Sequence, residues 1–145
     1  MSLAGGNRET IDLFYKALNA RDWDQVESYV HTDFVWEMPQ SAERVRGKVN
    51  NREMNENYPG LPTWELRRVT GSEDRWVLTP SWTPLKVTGS GDDYTVECLV
   101  KYPDQSVWHS VDIVHFRDVK IARMAAYFAP TLEPAAWRAR WVERM

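Results

Sequence analysis

The sequence predicts an α+β domain, with helices first and a run of antiparallel strands after them. Three observations carry this. An apolar stripe at helical spacing opens the chain, and strand-like segments follow one another from Trp64 onward. Clusters rich in Gly, Asp and Pro punctuate that second part. A chain of 145 residues fits one domain. The expected domain is residues 7–145, with Met1–Gly6 read as a start or expression remnant without structure.

Ile11, Phe14, Tyr15 and Leu18 fall at i, i+3, i+4 and i+7, which gives the first helix one apolar face. Asn7 or Thr10 suits its start. Asn19-Ala20-Arg21-Asp22 breaks the pattern, and Asp22 suits the N-cap of a short second helix that turns Trp23, Val26 and Val30 inward. Phe34–Met38 reads as a short strand stopped by Pro39. After a polar stretch containing Gly47, a third helix is predicted from about Asn50 to Tyr58, ended by Pro59-Gly60-Leu61-Pro62.

Strands are predicted over Trp64–Thr70, Trp76–Trp82, Leu85–Gly89, Tyr94–Tyr102, Trp108–Arg117 and Lys120–Phe128. Pro80 and Pro84 weigh against Trp76–Trp82 as a central strand. Arg117-Asp118-Val119-Lys120 reads as a tight hairpin connection. Trp137 and Trp141, four apart behind Pro134, suggest a last helix.

Composition narrows the function. Hydrophobic residues at 43% and charged residues at 27% exclude a disordered chain. A net charge of −3 argues against a nucleic-acid partner, which needs a basic face. Arg138, Arg140 and Arg144, interleaved with Glu143, read as a solvated helix face. No run approaches the about 18 apolar residues of a membrane span, and no secretory signal opens the chain. A single cysteine, Cys98, excludes an internal disulfide and fits a reducing compartment, so a cytoplasmic location is expected. Eight Trp, six Tyr and four Phe supply either a dense core or the walls of a cavity for a flat apolar ligand.

Three segments together resemble the nuclear transport factor 2-like (SnoaL-like) superfamily: FYKALNARDWDQVESYVHTDFVWEMP, VDIVHFRDVKIARMAAYFAP and EPAAWRARWVE. The resemblance implies a cone-shaped α+β roll, a curved and mostly antiparallel sheet with N-terminal helices packed over a central pocket. The superfamily includes ketosteroid isomerases, polyketide cyclases, an epoxide hydrolase, dehydratases and non-catalytic binding members, so fold does not fix function. Aligned on ALNAR and HFR, the helix tyrosine of the isomerases falls on Phe14. Their catalytic Asp falls on Met38 and their late-strand Asp on Val114. This chain therefore lacks the isomerase acid–base groups at their usual positions.

Strand alternation places Trp108, Ser110, Asp112, Val114 and Phe116 on one face of their strand and His109, Val111, Ile113 and His115 on the other. The alignment turns the Val114 face into the cone. Asp112 is then an acid on an otherwise apolar inner face, where burial makes it a candidate general acid or base. The alternative is an Asp112 at the cone mouth, solvated or paired with Arg52 or Arg123. Tyr58 is the candidate orienting donor, since Tyr15 reaches the site only if the first helix turns by about 100°. Candidate ligand contacts are Phe14, Trp36, Met38, Met54, Trp64, Val114, Phe116, Met124 and Phe128. Glu37 and Glu97 point away by parity, and Cys98 reads as an inert core residue.

His109 and His115 stand about 20 Å apart on a strand, facing away from Asp112, so no metal site is expected. No organic cofactor motif appears either. Two functions stay open. One is a cofactor-independent isomerase, cyclase, dehydratase or hydrolase acting on a small apolar or aromatic molecule. The other is a non-catalytic ligand-binding or protein-interaction module. Both expect a homodimer through the outer sheet face around Val111 and Ile113. Residues Asp74–Pro84 are a candidate lid over the mouth.

Overall fold

The computed structural model describes residues 6–71 and 91–145. The expectations for Trp76–Trp82, Leu85–Gly89 and the Asp74–Pro84 lid lie outside the described residues. Helix α1 (Gly6–Ala20) leads to α2 (Trp23–Ser28), β1 (Val30–Met38), β2 (Glu43–Arg46) and α3 (Lys48–Glu56). Strands β3 (Thr63–Gly71), β4 (Asp93–Lys101), β5 (Val107–Arg117) and β6 (Lys120–Pro130) follow. Among the described residues six strands form one sheet, in the order β2-β1-β6-β5-β4-β3. No helix among them is long and apolar enough to cross a membrane.

Local chemistry accounts for most boundaries. Asp22 caps α2 as predicted, its carboxylate accepting from the Gln25 N–H at 3.2 Å. Gly47 starts α3 at φ 89°, a conformation side chains resist. A Cβ there would meet only the Thr32 carbonyl at 3.8 Å, so backbone conformation rather than space selects glycine. Its N–H also donates to the Phe34 carbonyl at 2.6 Å, which ties the start of α3 to β1. Asp118 and Val119 both have positive φ, making the β5–β6 connection a two-residue type I′ hairpin turn.

Several features differ from the sequence reading. β1 starts at Val30 and pairs with β6 in parallel, within an otherwise antiparallel sheet. A register irregularity between Val30 and Val35 accompanies that pairing. β2 arises from a stretch read only as polar. Its four residues are exposed or half-buried, so no apolar alternation announces it. α3 ends at Glu56, before Tyr58. The tail from Pro134 forms a short 3-10 helix over Ala136–Trp141 that buries no residue.

α1 lies over the inner face of the sheet and buries Ile11, Phe14, Tyr15 and Leu18 against it. Phe34, Val96, Val100, Val114, Phe116 and Ile121 meet them in the core. Burying each such side chain contributes roughly 1.5–3 kcal/mol. Polar bonds fix the helix along β3. Arg8 donates to the Val69 carbonyl at 2.7 Å near one end. At the other, Asn19 accepts from Trp64 N at 2.8 Å and donates to Trp64 O at 2.7 Å. Arg21 adds bonds to the Leu61 and Pro62 carbonyls.

Candidate functional site

Between α1, α3 and the inner sheet face lies a pocket with a cavity volume of about 30 Å³, opening into space that is continuous with solvent. Phe14, Leu18, Phe34 and Met124 form apolar wall, with Trp36, Trp64 and Phe128 as half-buried aromatics. Two of those aromatics are held by backbone clamps. Asn19 grips Trp64 as described, and Gln40 accepts from Phe128 N at 2.6 Å while donating to Phe128 O at 2.9 Å. A side-chain amide here supplies the donor–acceptor pair that a neighbouring strand would supply. The pocket is thereby built on fixed backbone, which favours a preformed site.

Asp112 and Tyr15 are both 2% exposed and line the pocket together. The Tyr15 hydroxyl donates to Asp112 Oδ2. Asp112 Oδ1 is buried and has no partner. Neither arginine weighed for it is near. Arg52 pairs with Asp24 at 2.8 Å and also meets Glu27 and Glu56. Arg123 faces Glu37 at 3.8 Å. Burial therefore dominates and pushes the Asp112 carboxyl up to about 7, the Tyr15 bond opposing it. Burial and the nearby Asp112 charge push the Tyr15 phenol well above its usual value. A carboxyl poised between its two protonation states near neutral pH can give or take a proton there.

Asp112 reaches this place by strand parity. Along β5, Ser110, Asp112, Val114 and Phe116 are buried while His109, Val111, Ile113 and His115 are exposed. Tyr15 reaches it because the buried arc of α1 is wide enough to take in both Phe14 and Tyr15, whose rings meet edge-on at 5.3 Å. The alignment that favoured Phe14 and set Tyr15 aside is corrected on this point: both side chains face the pocket, and only Tyr15 carries a hydroxyl.

Of the predicted contacts, Phe14, Trp36, Trp64, Met124 and Phe128 lie in the pocket wall. Val114 and Phe116 share the inner face but are packed solidly in the core, with Phe116 edge-on to Tyr94 at 5.7 Å. Met38, at the end of β1, and Met54, on α3, are half-buried and outside the wall. Tyr58 is a further correction. Standing beyond the end of α3, it pairs with Tyr102 rather than with Asp112. Two residues that the sequence reading missed, Asn51 and Asn55, are buried and line the pocket from α3. Their i, i+4 spacing on one helix face is the only signal the sequence offers for them. Cys98 is buried, its thiol raised to about 12 by desolvation, and is chemically quiet. Among the described residues no cluster of His, Cys, Asp and Glu is close enough to hold a metal ion.

The family model for the SnoaL-like domain matches residues 11–124. The chain belongs to the SnoaL-like domain family. No curated protein matches this SnoaL-like domain. Among solved structures it is similar to a nuclear transport factor 2-like protein of unknown function from Burkholderia xenovorans LB400. The two are 26% identical with a TM-score of 0.76, and 96% of this chain and 94% of that one are covered. It is also similar to a protein provisionally named ketosteroid isomerase from Kribbella flavida DSM 17836. There the identity is 21% and the TM-score 0.74, over 96% of this chain and 89% of that one. TerC, co-crystallised with polyporic acid, shares the fold at 19% identity and a TM-score of 0.66, over 84% and 90% of the two chains.

Proposed function

We propose that this SnoaL-like domain binds a small apolar or aromatic molecule in its pocket and moves a proton on it with Asp112, without metal or organic cofactor. The observation that supports this most is the buried carboxyl itself. Among the described residues Asp112 has no cationic partner, one oxygen being held by Tyr15 and the other unpartnered in the pocket wall. Leaving a carboxyl so buried costs stability, and such costs concentrate where chemistry is done. Tyr15 orients the carboxyl and steadies its charged form, while the aromatic walls exclude water. A proton on or off carbon or oxygen is common to isomerisation, cyclisation, dehydration and epoxide opening. A second copy of the chain packs against the outer sheet face, where Val111, Ile113 and Tyr127 are 38%, 46% and 42% exposed.

The test uses 2-indanone, a flat ketone with exchangeable protons beside its carbonyl. Solvent deuterium uptake is followed by NMR for the native chain and for Asp112→Asn. The proposal expects uptake above buffer that the substitution abolishes while binding persists. Binding without any uptake favours the second reading, a non-catalytic binding module. The absence of the isomerase carboxylates at Met38 and Val114 already speaks for that reading.

A further inference from the structure

Asp112 Oδ1 is not the only orphaned polar atom in the pocket wall. The indole Nε1 of Trp36 is also buried without a hydrogen-bond partner. A buried, unpaired N–H costs free energy comparable to a lost hydrogen bond, and native proteins tolerate few of them. Trp36 as a whole is half-buried, on β1 between the core residue Phe34 and the strand end.

Sheet register places the two orphans as a pair. Trp36 is opposite Met124 on β6, and Asp112 is opposite Ala126 on the same strand. β6 runs between β1 and β5, so the two polar side chains rise from strands two apart, about 10 Å between axes. Between them β6 presents Met124 beside Trp36 and the short side chain of Ala126 beside Asp112. Asn51 and Asn55 overhang the gap from α3, with Asn55 Nδ2 committed to the Asn51 backbone carbonyl at 2.9 Å. The pocket wall is thus mostly apolar, and besides the Tyr15 hydroxyl and the Asn51 and Asn55 amides it carries two orphaned polar atoms. One belongs to a carboxyl and the other is a pure donor, because an indole N–H cannot accept.

We infer that Trp36 is a specificity-determining residue whose indole N–H holds an acceptor oxygen of the ligand while Asp112 meets a neighbouring atom. This rests on the reading above that the pocket binds a small molecule. It adds that the ligand is uncharged, flat and ring-shaped, and carries a carbonyl or ether oxygen next to the atom that meets Asp112. A pure hydrocarbon leaves the N–H orphaned, and a donor-only group there opposes it.

The test compares two probes of one shape, 2-indanone and 2-methyleneindane, which differ by a carbonyl oxygen against a methylene. Affinities are measured by NMR titration for the native chain and for Trp36→Phe. The native chain is expected to prefer the ketone about tenfold, and Trp36→Phe to erase that preference by weakening the ketone alone. In the native chain the Trp36 indole proton resonance is expected to move downfield with the ketone and not with the alkene. That shift decides the matter should Trp36→Phe fail to fold. If both probes bind but the preference survives in Trp36→Phe, or the indole proton does not respond, the assignment of Trp36 is overturned while the pocket reading stands. Binding of neither probe overturns both.

Discussion

Replacing Asp112 by Asn keeps the shape of the side chain and removes its charge, which turns the burial of this carboxyl into a measurable pH dependence. In the folded chain the carboxyl ionises at about 7 instead of 3.8. Between those values the folded state holds a proton that the unfolded state has already released. The stabilising contribution is therefore complete below about pH 4 and is lost as the pH rises through about 7. The whole swing is about 4 kcal/mol, of which about 2 kcal/mol falls between about pH 5.5 and 8.5. Asn cannot ionise, so the variant should gain about 2 kcal/mol on the native chain across that window.

Other acids titrate with the opposite sign. Asp33, Glu65, Glu97 and Asp104 are held below their usual range, chiefly by bonds from Arg117, Lys101, Arg68 and Ser106. Both proteins carry these groups, so their contribution cancels in the difference. Urea unfolding at a series of pH values, with the slope checked for constancy, gives that difference directly. A difference that stays flat from about pH 5.5 to 8.5 would mean that Asp112 ionises like a solvated carboxyl, and would refute the argument from burial.

Tyr15→Phe removes the one bond that favours the charged form of Asp112, so the same pH profile should move above about 7. It should also cost roughly 1–3 kcal/mol, read from urea midpoints. Val119 sits at φ 59° in the β5–β6 turn, a conformation a β-branched residue resists. Val119→Gly should therefore stabilise the chain by about 1 kcal/mol, seen as a raised Tm. Ile113→Lys places a charge at the centre of the outer sheet face and should convert a dimer to monomer in sedimentation at micromolar concentration. A native chain that sediments as a monomer removes that interface from the proposal.

The parts of this fold that were legible in the sequence are those where one side chain's burial repeats with the period of its element. β5 is the clearest case: its alternation puts Asp112 on the buried face and His109 and His115 outside, which also dissolves the apparent His-Asp-His spacing. The illegible parts lack such a period. β2 is exposed throughout its four residues apart from a half-buried Val45, and the parallel pairing of β1 with β6 is a long-range fact that neither strand encodes alone. Tyr15 was missed for a subtler reason. A helix face is an arc, so alignment to a single position cannot tell which of two adjacent buried residues carries the working group. Tyr58 was overvalued because the end of α3 fell two residues earlier than the Pro-Gly signal suggested.

The parallel pairing of β1 with β6 also governs the order in which the chain can assemble. β2 pairs with β1, and among the described residues β1 joins the remaining sheet only through β6, including a bond from Ile121 N to Tyr29 O at 2.9 Å. β3 to β6 form a meander of neighbours, joined by short local steps at the last two turns. β1, by contrast, must wait for a strand some ninety positions later in sequence, Val35 meeting Arg123. Closing such a span is entropically slow. As the chain leaves the ribosome, Phe34 and Trp36 therefore have no sheet to join until β6 has emerged. The pocket wall that they form is among the last surfaces to be completed, and the hydrophobic β1 segment is the one most in need of shelter meanwhile.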